Sequence, residues 1–522
     1  MRARALSPPT PSPAGIRAPS SAALVFLRGR DADARLQQLA ALRREARPVL
    51  GELATELVAR RLHEPLSYRC LGDYSRERLG VGARAVREWA RVWRRLRFLP
   101  LLRAAVLGGE LSWSAARLVV GLAEPETESA CLETVRGRTL RAVEQIVRAF
   151  KSSAHPCHLE PAESEDRATV RLRCTREEHG LWHAALELAR RSAGEQLPTW
   201  RCAELVAAEA ASALGATEQE PVRPAPSAHA SKRSQDLETR ALRGDAFPGL
   251  SWQEPAGHLP GEIASLARNA SSCCAREIDR RLRAVIAFLQ QVDFEVGRIL
   301  RQMVDRELMA ELGFAGLAEY ARERLDASPR TARRLVALAR GEHRAPAVAT
   351  AFRAGRIHAL QAHLLVRAGA AAAWVERARE VTLRRLEEEL PQAGVSFHAP
   401  RAVVAFFHEM LRRAGSLKRL LGHAIMTWVE QGRQFRDYAD FARDGYRCTA
   451  PGCTARRNLQ SHHIVFRSRG GPDEPWNRTT LCAFHHLRGV HEGRLRVEGR
   501  APDALVFELG TGERFRCDEK LD

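Results

Sequence analysis

"SHHIVFRSRGGPDEPWNRTTLCAFHHLRGVH", residues 461–491, carries five histidines and one cysteine, and two further cysteines, Cys448 and Cys453, stand just upstream of it. The upstream pair brackets "TAPG", a turn in which Pro and Gly fold the backbone back and bring two thiols to one point. Cys482 and His485 stand three apart on Thr480–Arg488, whose pattern predicts a helix presenting both on one face. Together they form a Cys3His set, the donor composition of a closed, tetrahedral structural zinc site. The competing reading, isolated buried cysteines, leaves two paired half-sites unexplained. A small module with few aromatic residues needs such a staple, which supplies on the order of 10 kcal/mol of folding free energy.

Four histidines are then surplus: His462, His463, His486 and His491. A second, open metal site would use them. Neighbours on a strand point to opposite sides, so His462 and His463 are expected to divide the work, one binding an ion and the other acting separately. On an ideal α-helix, five residues of separation turn His491 about 140° away from His486. His491 therefore joins an ion only if the helix ends near Gly489; phosphate contact is its other role.

The rest of the chain is different in texture. At 522 residues it is long enough for three or four cores. Its net charge of +19 favours a polyanionic partner, nucleic acid first. Only four of the 82 basic residues are lysine (Lys151, Lys232, Lys418, Lys520), so the arginine excess also fits a GC-rich coding bias, and charge alone leaves both readings open. Residues 436–522 hold 15 Lys+Arg against 13 Asp+Glu, so their function does not rest on bulk charge. No apolar run reaches the ~18–20 residues needed to cross a bilayer, and the apolar stretch Ala22–Leu27, closed by Arg28 and Arg30, is too short for a signal peptide. The expected location is the reducing cytoplasm, where eleven cysteines read as core thiols and metal ligands.

The chain also repeats itself. "LGDYSRERLGVGARAVRE" (71–88) aligns without a gap on "LAEYARERLDASPRTARR" (317–334), an offset of 246. Leu71, Tyr74, Arg76, Glu77, Arg78, Leu79, Arg84 and Arg87 meet Leu317, Tyr320, Arg322, Glu323, Arg324, Leu325, Arg330 and Arg333, and the same offset pairs Asp33 with Asp279 and Leu36 with Leu282. Each copy is followed by a strand-like run and a helix: "ATVRLRC" then "EEHGLWHAALELARR", and "VSFHA" then "RAVVAFFHEMLRRA". The expected organisation is a disordered N-terminus (1–20), a helical repeat domain (21–214), a linker (215–258), a second helical repeat domain (259–435) and a C-terminal α+β module (436–522). In each copy the best-matched stretch reads helix, tight turn, helix, an outline in which Arg84 and Arg87, or Arg330 and Arg333, would face DNA. The alternative is that these arginines solvate a bundle. Trp89, Val92, Trp93 and Leu96 recur at core spacing.

The order His-His, glycine-containing loop, Asn, Cys-x-x-His-His resembles the ββα-metal motif of HNH endonucleases, and "LPLLRAAVLGGELSWSAARLVVGLA" (99–123) is similar to the helical region that precedes this module in a large bacterial group. The resemblance implies a mainly α protein ending in a ββα-metal module. In it, His463 is the general base, Asn477 orients that base by holding the loop, and His462 and His486 bind one catalytic divalent ion, Mg2+ or Mn2+ ahead of others; His491, five residues after His486 where many relatives have four, is a third ligand or a phosphate contact. Cys448, Cys453, Cys482 and His485 would hold a structural Zn2+. Arg467 and Arg469, between base and Asn, would approach phosphate, or merely line a solvated loop. The chemistry suits the residue types: a neutral imidazole accepts a proton at cellular pH, and a divalent ion polarises the scissile phosphate. The expectation is a DNA-cleaving phosphodiester hydrolase with no membrane partner and a homodimer left open. The alternative is a non-catalytic zinc-dependent DNA-binding or protein-interaction protein that retains the scaffold.

Overall fold

Two amphipathic stretches, beginning at Gly29 and Ala275, each form a helix of 31 residues, and the rest of the chain is arranged around this pair. The structure, a computed structural model, describes residues 28–154, 167–195, 197–214, 258–369, 372–390, 393–431 and 438–516. The expected N-terminal tail, and all but the last residue of the expected linker, lie outside these.

The fold is mainly helical. The first half contributes α1 (Gly29–Ala59), α2 (Leu71–Leu79), α3 (Ala83–Leu96), α4 (Pro100–Gly108), α5 (Trp113–Val119), α6 (Glu128–Val135), α7 (Leu140–Ala154), β1 (Arg167–Cys174), α8 (Arg176–Ala193) and α9 (Thr199–Ala213). The second half contributes α10 (Gly261–Ser265), α11 (Ala275–Asp305), α12 (Leu317–Arg324), α13 (Pro329–Arg344), α14 (Pro346–Arg353), α15 (Ala359–Ala368), α16 (Ala373–Glu380), α17 (Leu383–Glu389), β2 (Ala393–Pro400), α18 (Arg401–Ala414) and α19 (Leu417–Gln431). The C-terminal region adds α20 (Tyr438–Arg443), the strand pair β3 (Leu459–His463) and β4 (Arg478–Cys482), α21 (Phe484–His491), and a meander of β5 (Arg496–Arg500), β6 (Ala504–Glu508) and β7 (Arg514–Arg516).

Local chemistry explains the turns. Gly80, at φ +63, ends α2, and in the second half Ser328 accepts from the Thr331 amide while Pro329 takes the first turn of α13. Val92 and Leu96 are fully buried and Trp89 nearly so; Trp93 is half-buried and donates its indole N–H to Glu52 at 2.7 Å. Two glycines allow close crossings, for a Cβ on Gly51 would meet Trp93 at 2.5 Å and one on Gly297 would meet the Leu335 carbonyl at 2.7 Å. These positions are also 246 apart.

The two matched halves share one core. A single apolar cluster runs from Leu36, Leu50 and Leu57 of α1 through Leu282 and Ile299 of α11 to Leu481, Leu495 and Phe507 of the C-terminal region. A second cluster is built from α8, α9, α18 and α19 around an antiparallel pair in which β1 bonds β2, Val170 facing Phe397. The two strand-like runs of the sequence are thus partners of each other.

Residues that match at the offset make mirrored contacts across the halves. Tyr74 donates to Asp279 at 3.0 Å, and Arg78 bonds both oxygens of the same carboxylate, at 3.2 and 2.6 Å. Reciprocally, Tyr320 donates to Asp33 at 2.7 Å and Arg324 bonds it through Nε at 3.1 Å. Glu77 caps α17, accepting from the Leu383 and Arg384 amides at 2.6 and 3.1 Å; Glu323 caps α7, accepting from Leu140 and Arg141 at 2.9 and 3.4 Å. The mirrored ion pairs differ in depth: Arg78 and Asp279 are 10% and 6% exposed, Arg324 and Asp33 41% and 15%.

Removing one partner of a buried, bonded ion pair strands the other, at a cost of about 3 kcal/mol, whereas a partly exposed pair contributes about 1 kcal/mol or less. Asp279→Ala should therefore lower the denaturant or thermal midpoint well below that of Asp33→Ala. Equal losses would contradict this reading of the interface.

Candidate functional site

The C-terminal strand pair places the histidines. β3 and β4 run antiparallel with Ser461 opposite Thr480 and His463 opposite Arg478. α20 secures them: Ser461 donates to Asp440 at 3.0 Å, Asp444 accepts from the Thr480 amide at 2.8 Å, and Arg443 donates to the carbonyls of Pro475 and Arg478, each at 2.7 Å.

The ligand atoms of Cys448, Cys453, Cys482 and His485 lie within 4.8 Å of one another, and all four residues are buried. Zinc–sulfur bonds of about 2.3 Å set tetrahedral sulfur atoms about 3.8 Å apart, so a buried Cys3His set of this span fits a metal ion such as zinc. The helical expectation for Thr480–Arg488 is corrected here. Thr479 and Thr480 are buried in β4, Cys482 is the last strand residue, and the helix starts only at Phe484. The two ligands still converge, one from the strand end and one from the first turn of the helix.

His485 is oriented by the helical body. Its Nδ1 lies 3.4 Å from Cys448 Sγ and 3.3 Å from Cys482 Sγ, while its Nε2 donates to the Ser67 carbonyl at 2.9 Å. That bond fixes the tautomer and leaves Nδ1 for an ion. Ser67, at φ +69, also donates through Oγ to the Arg494 carbonyl and accepts from the Gly510 amide at 2.7 Å. Arg384 of α17 donates to the carbonyls of Cys448 and Ala450 at 3.0 and 3.1 Å and to that of Cys453. Asp73 of α2 accepts from the Thr454 hydroxyl at 2.6 Å. Both halves of the chain therefore hold the cysteine turn.

The remaining histidines separate as strand geometry requires. His462 is buried, packed against His486 and His491 with ring centroids 5.1 and 6.4 Å away. Burial, reinforced by the neighbouring histidines, holds its pKa down at about 4, so it is neutral, and its Nε2 is buried without a hydrogen-bond partner. His486 and His491 meet Nε2 to Nε2 at 3.3 Å, the separation of two nitrogens sharing one ion at bonds of about 2.0–2.1 Å. Gln460 accepts from His486 Nδ1 at 2.7 Å and so turns Nε2 inward. Among the described residues, only the Cys3His set draws three or more such ligand atoms within 4.8 Å of one another; the histidine trio is wider, with His462 set back from the touching pair.

The five-residue spacing is resolved by the helix itself. Over Phe484–His491 the backbone is a π-helix, with i→i+5 hydrogen bonding, which returns residues five apart to nearly the same face. The expectation that His491 reaches this face only if an α-helix ends near Gly489 is thereby corrected. Gly489 is buried inside the helix, where an added Cβ would meet Leu495 at 3.3 Å.

His463 is half-buried on the other side of β3, where its Nε2 lies 3.0 Å from Asp473. Hydrogen bonds from Arg467 and His463 hold the exposed Asp473 carboxyl below its usual range. His463 Nε2 also lies 3.3 Å from Arg467 Nε, but a carboxylate only accepts, so with the closer Asp473 as its partner Nε2 carries the proton and Nδ1 is the ring's acceptor. Asn477 is fully buried and does not bond His463; it accepts from the Val465 amide at 2.8 Å and donates to the carbonyls of Val465 and Pro472 at 3.1 and 2.9 Å, closing the 464–477 loop. Gly471 is required there, because a Cβ would fall 1.9 Å from the Val465 carbonyl oxygen. Arg467 is exposed and paired with Asp473 at 2.9 Å, and Arg469, also exposed, lies over Phe466 at 5.5 Å. Asp473 and Gln460 were missed in the sequence; an acid ten residues after His463 and an amide two before His462 were the available signals.

The helical arginines lie elsewhere. Arg84 and Arg87 are exposed on α3, and Arg330 and Arg333 are exposed on α13. No helix of the described residues is long and apolar enough to cross a membrane. Comparison with family profiles, characterised proteins and solved structures gave no match to this chain.

Cys453→Ser should reduce bound zinc from one equivalent to a small fraction, by metal analysis of the purified protein, and lower the thermal midpoint. Parental zinc content and an unchanged midpoint would remove the Cys3His assignment.

Proposed function

We propose that the protein is a metal-dependent DNA endonuclease of the HNH type, hydrolysing phosphodiester bonds with His463 as general base. One observation carries this reading: β3 ends in adjacent imidazoles on opposite faces, one buried against two further histidines with an orphaned nitrogen, the other accessible and oriented by a carboxylate. A purely structural zinc module has no use for that division.

In this reading, His463 Nδ1 takes the proton from the attacking water, and Asp473 stabilises the imidazolium that forms. Asn477 keeps the loop closed so that His463 and Asp473 stay in register. His462, His486 and His491 would hold a divalent ion, for which imidazole donors suit Mn2+ better than the oxygen-seeking Mg2+, and the ion would supply polarisation of the scissile phosphate and stabilisation of the leaving oxygen. Gln460 fixes the tautomer of His486. Arg467 and Arg469, exposed on the loop, would meet the phosphodiester backbone. The Cys3His set pins helix to strands and takes no part in the chemistry, since a closed four-ligand site leaves no position for substrate. The resemblance of His462-His463, Asn477 and Cys482-x-x-His485-His486 to the HNH motif supports the assignment, and the mirrored contacts at the offset of 246 support a duplicated helical unit folded as an internal pair.

Loss of a general base costs about 10²-fold or more in rate. His463→Ala should therefore abolish detectable nicking of supercoiled plasmid in Mg2+ or Mn2+ while zinc content and thermal midpoint stay parental. Parental cleavage by that variant would defeat the assignment, and a parent inactive with every divalent ion would favour a non-catalytic zinc-dependent DNA-binding protein.

A further inference from the structure

We propose that the groove between α3 and α5 is a binding site for the sugar-phosphate backbone of duplex DNA. This inference deepens the nuclease reading by naming a surface for its substrate, but the groove stands on its own residues.

The groove encloses about 800 Å³ and is lined by Arg84, Arg87, Arg91 and Arg117 against a single carboxylate, Glu88. That carboxylate is already paired with Arg117 at 3.2 Å. Arg91 donates to the Arg117 carbonyl at 3.3 Å, and Arg95 donates to the carbonyls of Val120 and Ala123 at 3.0 and 2.7 Å, so arginines of α3 also neutralise the C-terminal end of α5. Arg84 and Arg87, by contrast, are exposed and make no hydrogen bond or ion pair among the described residues. Two unpaired guanidinium groups on one rim, with a floor of Leu118, Gly121 and Leu122, suit a regularly spaced polyanion. Among the described residues, no aromatic side chain lines the groove. It therefore lacks the stacking platform that single strands use, which favours backbone contact with a duplex.

The 61–64 turn lies between α1 and α2, and its charges meet both the His63 imidazole and the C-terminal helix. Burial holds the His63 imidazole below its usual value, and Arg61 and Arg87 add to this against the pull of Glu64. Glu64 in turn pairs with Arg488 at 3.6 Å, and Arg488 follows His486 on the same helix. Glu64 also pairs with Arg61, so the 61–64 turn carries both signs of charge between the groove and the helix of His486.

The test measures binding, by fluorescence anisotropy of the full chain with a labelled DNA duplex, without added Mg2+ or Mn2+, over a range of salt. Each phosphate contact contributes about 0.9 to the slope of log affinity against log salt. Arg84→Ala/Arg87→Ala should lower the magnitude of that slope by about 2 and weaken binding alike for unrelated sequences, with zinc content and thermal midpoint unchanged. Arg84→Lys/Arg87→Lys should restore the parental slope. Arg330→Ala/Arg333→Ala makes the same charge change on α13 and should leave the slope at the parental value. A parental slope in the α3 variant, an equal loss in the α13 variant, or tighter binding of an RNA duplex of the same sequence would each overturn the proposal. Because no cleavage is read, the groove can fail while His463→Ala still abolishes nicking, and the nuclease reading can fail while the α3 variant still loses affinity.

Discussion

His485 divides its two ring nitrogens between a cage of three cysteines and the carbonyl of Ser67, and the geometry of the C-terminal region follows from that division. With Nε2 committed to a backbone carbonyl 2.9 Å away, only Nδ1 faces the thiols. The bond also ties the cysteine turn to the loop that joins α1 to α2, so the strand pair and α21 are held against the helical body. Arg384 and Asp73 close the same turn from the two halves of the chain. Because His485 is used in this way, the neighbouring His486 projects to the other side, where it meets His491 and His462.

The helical body presents the same logic at larger scale. Asp33 and Asp279 each receive a tyrosine hydroxyl and an arginine from the opposite half. Burial raises the Asp33 carboxyl, but the bonds from Arg324 and Tyr320 outweigh it and hold the group below its usual range. Neither half buries its long helix alone; each supplies the other's counter-charge and the cap for one of the other's helices. The turn at Ser67 leaves the C-terminal end of α1 within this cross-braced body.

Much of the site was legible because its residues are chemically distinctive and closely spaced. Cys448, Cys453, Cys482 and His485 were readable as a set, and the alternation of a strand separated His462 from His463. What the sequence concealed is of three kinds. Partner identity is not encoded in periodicity: the tyrosines, arginines and aspartates matched at the offset were visible, yet not that each bonds the opposite half, nor that β1 pairs with β2. Helix type is not encoded either, so an ideal 3.6-residue turn misplaced His491 where i→i+5 bonding recovers it. The strand ending at Cys482 was misread as helix, although the run Thr479-Thr480-Leu481 carries the β-branched character of a strand. Asp473 and Gln460 act through hydrogen bonds that no local pattern announces.

The central claim is that one chain carries two unlike metal positions, a closed one made of sulfur and a single imidazole and an open one made of imidazoles alone. Cobalt(II) titration of the metal-free protein, followed by absorption spectroscopy, tests it most directly. The account predicts a first equivalent with intense thiolate charge-transfer bands and a second, weaker equivalent without them that disappears in His462→Ala/His486→Ala. Saturation at one equivalent, or a second equivalent that survives the loss of both histidines, would contradict it.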